Sequence, residues 1–280
     1  MSSSSSSCLI CGCIKNCEPY IEKVFKNIEL IQGLFTRTKI IISFDISSDF
    51  SLKILCRLKK QFDIDIIINR DPVTSVRTVN IENARNKILD LIYDKYAYEK
   101  YDYFIMIDMD DVSAKPINIE VLQHGLENST IWDGLFFNNE NYYDFWALNF
   151  DDFQYSCWHS TDTKKLINIM NAEFMKKMTT LSGDFLSCQS AFGGFGIYKT
   201  ERFINCRYRS LIDTSLFNMR NLSNVSNKYQ INYYVNNNIY DCEHRYYHLN
   251  AIRENEVRLA ISKKCLFPRY VGEHTTILDT

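Results

Sequence analysis

The sequence predicts an α/β fold, a mainly parallel central sheet flanked by helices. Three observations carry that expectation. Short apolar runs alternate with amphipathic stretches of 10 to 20 residues through the first half of the chain, as strand–helix–strand units of a parallel sheet do. The run from Tyr103 to Ile107 is apolar or aromatic throughout and leads straight into Asp108, Asp110 and Asp111. A buried strand whose carboxyl end opens onto a ligand crevice reads this way. The chain has 280 residues, 46% of them hydrophobic, and a net charge of −2, which suits one large domain.

The elements follow in order. Residues 8–14 form a short apolar strand. A helix opens at Glu18 and Pro19, where acid and proline are favoured, with Ile21, Val24, Phe25, Ile28 and Ile31 as its apolar stripe. Lys39 to Asp45 is the second strand. Ser47, Ser48 and Asp49 cap a helix whose core face takes Leu52, Leu55, Cys56 and the stem of Lys59. Ile64 to Asn69 is the third strand. A loop containing Pro72 leads to a long helix from Asn80 to Tyr98 with the stripe Ala84, Ile88, Leu91, Ile92 and Tyr96. The fourth strand ends at the aspartates. Right-handed crossovers bring the ends of strands one, two and four to one rim.

Beyond Asp111 the pattern loosens. Helices are expected over 116–128, 163–178 and 241–253, and strands over 132–138 and 258–262. A glycine turn and strand are expected over 190–199, and loop with short elements over 208–238. Residues 1–7 read as a disordered serine tail and 8–280 as one domain. In that domain 8–112 form the nucleotide-binding half and 113–280 the sugar- and acceptor-binding half.

Several classes are excluded. An isoelectric point near 6.2 gives no electrostatic footprint for nucleic acid. No apolar stretch approaches the roughly 20 residues of a membrane span. Ten cysteines without a basic, apolar leader point to a reducing, cytoplasmic setting rather than a disulfide framework. On a strand, Cys8 faces away from Cys11 and Cys13. The Cys8, Cys11, Cys13 and Cys17 cluster therefore reads as small buried residues, not as one metal site.

The aspartates carry the chemistry. Hard divalent cations take oxygen ligands, and Mn²⁺ or Mg²⁺ can orient a diphosphate and neutralise its developing charge. At an extended strand end, Asp108 and Asp110 point the same way, with Asp111 across from them. A solvated acidic loop is the plainer reading of a bare D-x-D. A phosphatase reading also fits, because Asp108-Met109-Asp110-Asp111-Val112 matches D-x-D-x-[TV], with Asp151 and Asp152 as the second acidic pair. In such phosphatases, however, the motif follows the first strand, not the fourth.

The motifs around these residues resemble a known family. Asn83-Ala84-Arg85-Asn86 lies on the helix ahead of the D-x-D strand, and Asp45 lies in an acidic turn after strand two. Together they resemble the GT-A glycosyltransferases. The segments from Tyr142 to Leu148 and from Ala191 to Tyr198, with Cys242-Glu243-His244, are similar to the capsule-associated α-1,3-mannosyltransferase group of fungi. They also resemble related glycosyltransferases of large DNA viruses. The likeness covers about residues 8–275.

The resemblance implies a metal-dependent transfer of sugar from a nucleotide-diphosphate donor to a glycan or glycoprotein hydroxyl. UDP-sugar is the expected donor, with GDP-mannose second. Asp45 would bind the nucleoside, Cys11, Gly12 and Cys13 would line the base pocket, and Arg85 with Asn86 would meet the diphosphate or an acidic partner. Asp108 and Asp110 would hold Mn²⁺ or Mg²⁺, with His248, His244 or His274 as a nitrogen ligand. Gly193 and Gly194 would let the chain approach the donor. Tyr143, Asp144 and Trp146 would face sugars, and Glu243 with His244 would serve acid–base roles. If the viral likeness holds, host cytoplasm or virion is the setting. A sugar nucleotidyltransferase and a non-catalytic carbohydrate-binding relative remain as alternatives.

Overall fold

The computed structural model describes residues 6–71, 73–139, 142–233 and 239–267. Pro72 and His274 lie outside the described residues. The first half runs β1 (Ser7–Ile14), α1 (Ile21–Gln32), β2 (Arg37–Asp45), α2 (Ser51–Leu58), β3 (Ile64–Asn69), α3 (Arg77–Asp94) and β4 (Tyr103–Asp108). The second runs α4 (Ile119–Glu127), β5 (Gly134–Asn138), α5 (Thr163–Thr180), β6 (Phe185–Cys188), β7 (Phe195–Lys199), α6 (Met219–Tyr229), α7 (Glu243–Asn255) and β8 (Leu259–Cys265).

All eight strands join one sheet, in the order β3-β2-β1-β4-β7-β5-β8-β6. The sheet is mixed rather than mainly parallel. β3, β2, β1 and β4 run parallel, but β7 is antiparallel to both β4 and β5. β8 is parallel to β5, and β6 is antiparallel to β8. The regular βα alternation ends at Asp108, and with it the rule that forces strands to run parallel.

Two apolar layers cover the faces. Leu9 and Cys11 point into one, under α3, and Cys8 and Ile10 into the other, under α1. The cysteines thus split between faces as strand alternation requires, and among the described residues none is in a disulfide. Ser7 belongs to β1, not to a tail. Its amide and hydroxyl both donate to Asp102, at 2.7 and 2.8 Å. Helix α2 also differs from expectation. It buries Ser51, Leu55 and Leu58, while Leu52 and Cys56 face solvent. Residues 219–229, expected to hold no more than short elements within a loop, form the 11-residue α6. The Asn218 side chain caps it by accepting from the amides of Arg220 and Asn221. Its Asn- and Ser-rich composition hides an apolar face reduced to Leu222 and Val225.

Two polar anchors position the rim where β1, β2 and β4 end. Asn27 sits among the apolar stripe of α1 and is 4% exposed. Its amide donates to the carbonyls of Ser113 and Lys115, at 2.8 and 2.6 Å, and accepts from Ile117. It therefore holds the turn that follows the aspartates. The second anchor is a polar stripe along α3, at helical spacing, that grips segment 203–210. Glu82 accepts from the amide and hydroxyl of Ser210. Asn86 makes a reciprocal pair with the Tyr208 backbone, 2.9 Å each way. Asp90 pairs with Arg207 at 2.8 Å, and Tyr93 donates to the Phe203 carbonyl at 2.6 Å.

Asn27→Ala would leave two carbonyls and one amide without their partner. A destabilisation of about 3 kcal/mol is expected, read as a lower urea midpoint with unchanged m-value. An unchanged midpoint would show that water replaces the anchor at no cost.

Candidate functional site

The parallel register places the candidate residues together. Cys13 lies opposite Ser43 on β2 and Asp108 on β4, so these side chains share one face. Asp45 closes β2, where its carboxylate accepts from the Asn69 amide at 2.8 Å. β4 ends at Asp108. Met109 then turns into the opposite apolar layer, and the chain bends at Asp110. The Met109 side chain fills the space beside Gly12, where an added Cβ would come within 2.7 Å.

Burial and then the like charge of Asp110 push the Asp108 carboxyl up to about 7 against the opposing charge of Arg85. Yet 31% of the Asp108 side chain meets solvent. Two hard oxygen donors crowded at a half-open rim suit a divalent cation, which would relieve their repulsion. Among the described residues, however, no group of three or more His, Cys, Asp or Glu side chains converges as a ready metal cage. A cation here would take its remaining ligands from a donor or from water, as Mg²⁺ commonly does.

Arg85 projects from α3 into the centre. One guanidinium nitrogen, Nη1, donates to Glu243 and to His244 Nε2, and Nη2 donates to Asp108 at 3.2 Å. Its guanidinium carbon lies 4.8 Å from the Phe192 ring centre and 5.5 Å from that of Tyr208. Burial alone would lower the Arg85 pKa, but Glu243 and Asp108 outweigh it and hold the group charged.

Glu243 and His244 begin α7, where the helix N-terminus favours a carboxylate. Burial raises the Glu243 pKa and Arg85 opposes it. His244 is kept neutral, first by burial and then by Arg85. A guanidinium can only donate, so His244 Nε2 accepts and Nδ1 carries the proton. Among the described residues, that buried Nδ1 has no hydrogen-bond partner.

Other expected residues take different roles. His248 is fully buried, with Nδ1 3.0 Å from the Ser190 hydroxyl and Nε2 3.1 Å from that of Tyr198. Both nitrogens are engaged within the core, so His248 does not fit the expected role of metal ligand. Asn86 grips the Tyr208 backbone rather than facing the rim. Cys11 and Gly12 lie within the sheet, and Cys13 alone of the three is partly exposed.

Gly193 and Gly194 have φ of +65° and +84°, a conformation that favours glycine. A Cβ on Gly194 would come within 2.8 Å of Val112. Gly194 is therefore packed closely against protein, while Gly193 has Asn139 and Tyr142 at ordinary contact distance. The Gly194 carbonyl accepts from the Asp108 amide at 2.9 Å. Asp144 accepts from the Gly193 amide at 3.0 Å and the Ala147 amide at 3.4 Å, so it clamps its loop. Trp146 stays half-buried, edge-on to Trp158 with ring centres 5.7 Å apart.

Sequence reasoning missed several participants. Phe192 stacks on His244 with ring centres 3.9 Å apart. Arg245, fully buried, donates to the carbonyls of Trp146 and Leu148 and lies 2.9 Å from Asp241. Arg77, exposed at the start of α3, adds positive charge felt by Asp108, Asp144 and Glu243. Asp151 and Asp152, the acidic pair of the phosphatase reading, turn instead to Gln189 and Lys177.

No protein-family model matches the chain, and no curated protein matches it. Among solved structures, Staphylococcus aureus TarS 1-349 in complex with UDP-GlcNAc is 12% identical with a TM-score of 0.47, over 97% of this chain and 60% of that one. Mycobacterium tuberculosis glucosyl-3-phosphoglycerate synthase in complex with UDP is 11% identical with a TM-score of 0.42, over 98% and 76%. The mannosyltransferase PcManGT from Pyrobaculum calidifontis, in complex with GDP-Man and Mn²⁺, is 10% identical with a TM-score of 0.41, over 72% and 47%. This chain spans 37% of the longer TarS chain.

His248 gives the site a pH signature. Burial, then Arg85 and Arg245, lower its pKa from 6.5 to about 3. The unfolded chain takes up a proton near 6.5, while the folded chain resists until about 3. Stability from this group is therefore intact above pH 6.5 and is lost as pH falls through that window. Urea midpoints measured across it should fall, and His248→Gln should flatten the slope. Equal slopes would mean that His248 does not titrate this way.

Proposed function

We propose that this chain is a metal-dependent glycosyltransferase of the GT-A kind, moving a sugar from a nucleotide-diphosphate donor to a glycan or glycoprotein hydroxyl. The observation that carries this reading is the pairing of two rim carboxylates, Asp108 and Asp110, with a desolvated carboxylate, Glu243. Arg85 touches both Asp108 and Glu243. Asp108 and Asp110 would hold Mn²⁺ or Mg²⁺, which when bound neutralises the diphosphate and its developing charge.

The chain's own residues supply the rest. Asp45 stands at the end of β2, where a ribose or base would lie. Glu243 has its proton affinity raised by burial, as a base for an acceptor hydroxyl requires. In an inverting reaction it would take that proton as the hydroxyl oxygen attacks the anomeric carbon and the diphosphate leaves. In a retaining one it would orient the acceptor. Trp146 offers a half-buried aromatic face to a sugar. UDP-sugar is the favoured donor, and the motif likeness to the fungal mannosyltransferase group supports GDP-mannose as the second. A reducing compartment suits ten cysteines without disulfides.

The alternatives lose support at specific residues. A phosphatase needs a second acidic pair at the rim, and Asp151 and Asp152 are engaged with Gln189 and Lys177. A nucleotidyltransferase needs a glycine-rich phosphate loop after β1, and Gly12 lies inside the strand against Met109.

UDP with Mn²⁺ should raise the melting temperature more than either alone, and GDP with Mn²⁺ is the second arm. Asp110→Ala should abolish that metal-linked shift while leaving the ligand-free melting temperature within a few degrees. No shift with any nucleotide diphosphate in the wild type would sink the glycosyltransferase reading. Glu243→Gln should slow transfer to acceptor more than donor hydrolysis. Equal losses would make Glu243 structural.

A further inference from the structure

We propose that Arg85 is a positioning residue that fixes Glu243 of α7 against Asp108 of β4, and that it does not bind the donor's diphosphate. The inference rests on the glycosyltransferase reading and assigns a division of labour within that site.

Three observations carry it. Arg85 is only 5% exposed and reaches the half-open rim through Asp108, 31% of whose side chain meets solvent. Its terminal nitrogens are already directed at protein: Nη1 at Glu243 and His244, and Nη2 at Asp108. Aromatic side chains lie near the guanidinium, with Phe192 at 4.8 Å and Tyr208 at 5.5 Å. Each of these contacts is itself held. Phe192 stacks on His244, and Asn86 grips the Tyr208 backbone from the next position on α3. The result is a guanidinium fixed in orientation whose two terminal nitrogens reach carboxylates from opposite halves of the chain.

The chemistry of the side chain matters here. A planar fork can bond two carboxylates in fixed directions at once, whereas a lysine ammonium is a single point charge on a flexible stem. Glu243 sits on a helix whose first turn is otherwise tied by Arg245 and Asp241 to the aromatic loop. Without the fork, Glu243 keeps its helix but loses the bond that aims its carboxylate toward the Asp108 side of the rim. Misplacing a reacting group by about an ångström can cost on the order of a hundredfold in rate.

The test uses Arg85→Lys, which keeps the charge, beside Arg85→Met. UDP–Mn²⁺ affinity is measured by calorimetry, and turnover is measured as acceptor-dependent UDP release, the UDP released from a panel of UDP-sugars with glycan acceptors less that released without them. A positioning role predicts UDP affinity within about threefold of wild type for Arg85→Lys, with turnover at saturating donor lowered by about tenfold or more. The double variant Arg85→Lys, Glu243→Gln should be no slower than Glu243→Gln alone, because both changes remove one unit. If Arg85→Met does not fold, Arg85→Lys and the double variant carry the decision. A tenfold or larger loss of UDP affinity, with uridine affinity unchanged, would make Arg85 a diphosphate ligand and overturn the proposal. Wild-type turnover in Arg85→Lys, or additive losses in the double variant, would overturn it equally. Absence of UDP–Mn²⁺ binding in the wild type would instead bring down the glycosyltransferase reading itself, and this proposal with it.

Discussion

Most of the site depends on how α3 meets the C-terminal half. That contact is polar as well as apolar. Glu82, Asn86, Asp90 and Tyr93 bond the segment 203–210, and Arg85 reaches α7. Directional bonds fix rotation and register in a way that apolar packing does not. α3 also packs on β1 and β2, so its polar stripe carries the register of the parallel strands over to the C-terminal helices. Tyr208, Phe192 and His244 surround the guanidinium because this contact brings their segments alongside.

The interior around Arg85 is unusually polar for a core. Glu243, His244, Arg245 and His248 are all buried on one helix, where ionisable groups are costly unless paired. Most are paired: Glu243 with Arg85, Arg245 with Asp241, and His248 with two hydroxyls. The exception is the His244 Nδ1 proton. A fixed arrangement of buried charge is a pattern expected where an interior serves chemistry rather than packing.

Most of the first half was legible because α1 and the parallel strands each obey one period, whereas α2 turned a different face to the core than its letters suggested. The α1 stripe is buried as expected, from Ile21 to Ile31. β4 stops at Asp108, where the apolar run meets the aspartates. The failures have physical causes. Asn27 sits inside an apolar stripe, and no local signal reveals that it bonds a turn 86 residues away. Asp144 and Asn86 were visible as polar motifs, but their partners, the Gly193 amide and the Tyr208 carbonyl, are backbone groups distant in sequence. A motif shows that a residue type is needed, not whether ligand or protein needs it. His248 was misread for the same reason, since a histidine satisfied by two hydroxyls carries no mark of that in sequence. α6 was missed because its solvent face supplies most of its letters.

The strand order has a consequence for how this chain can be divided. β4 is flanked by β1 on one side and by β7 on the other, and β7 arrives only after residue 194. A fragment ending near residue 112 would expose a bare edge carrying Phe104, Ile105, Met106 and Ile107, a template for self-association. The C-terminal half would lose the strand that anchors β7. The two halves are therefore poor candidates for separate expression or for exchange as modules. Insertions and fusions belong at solvent-facing turns that leave the β4–β7 seam closed.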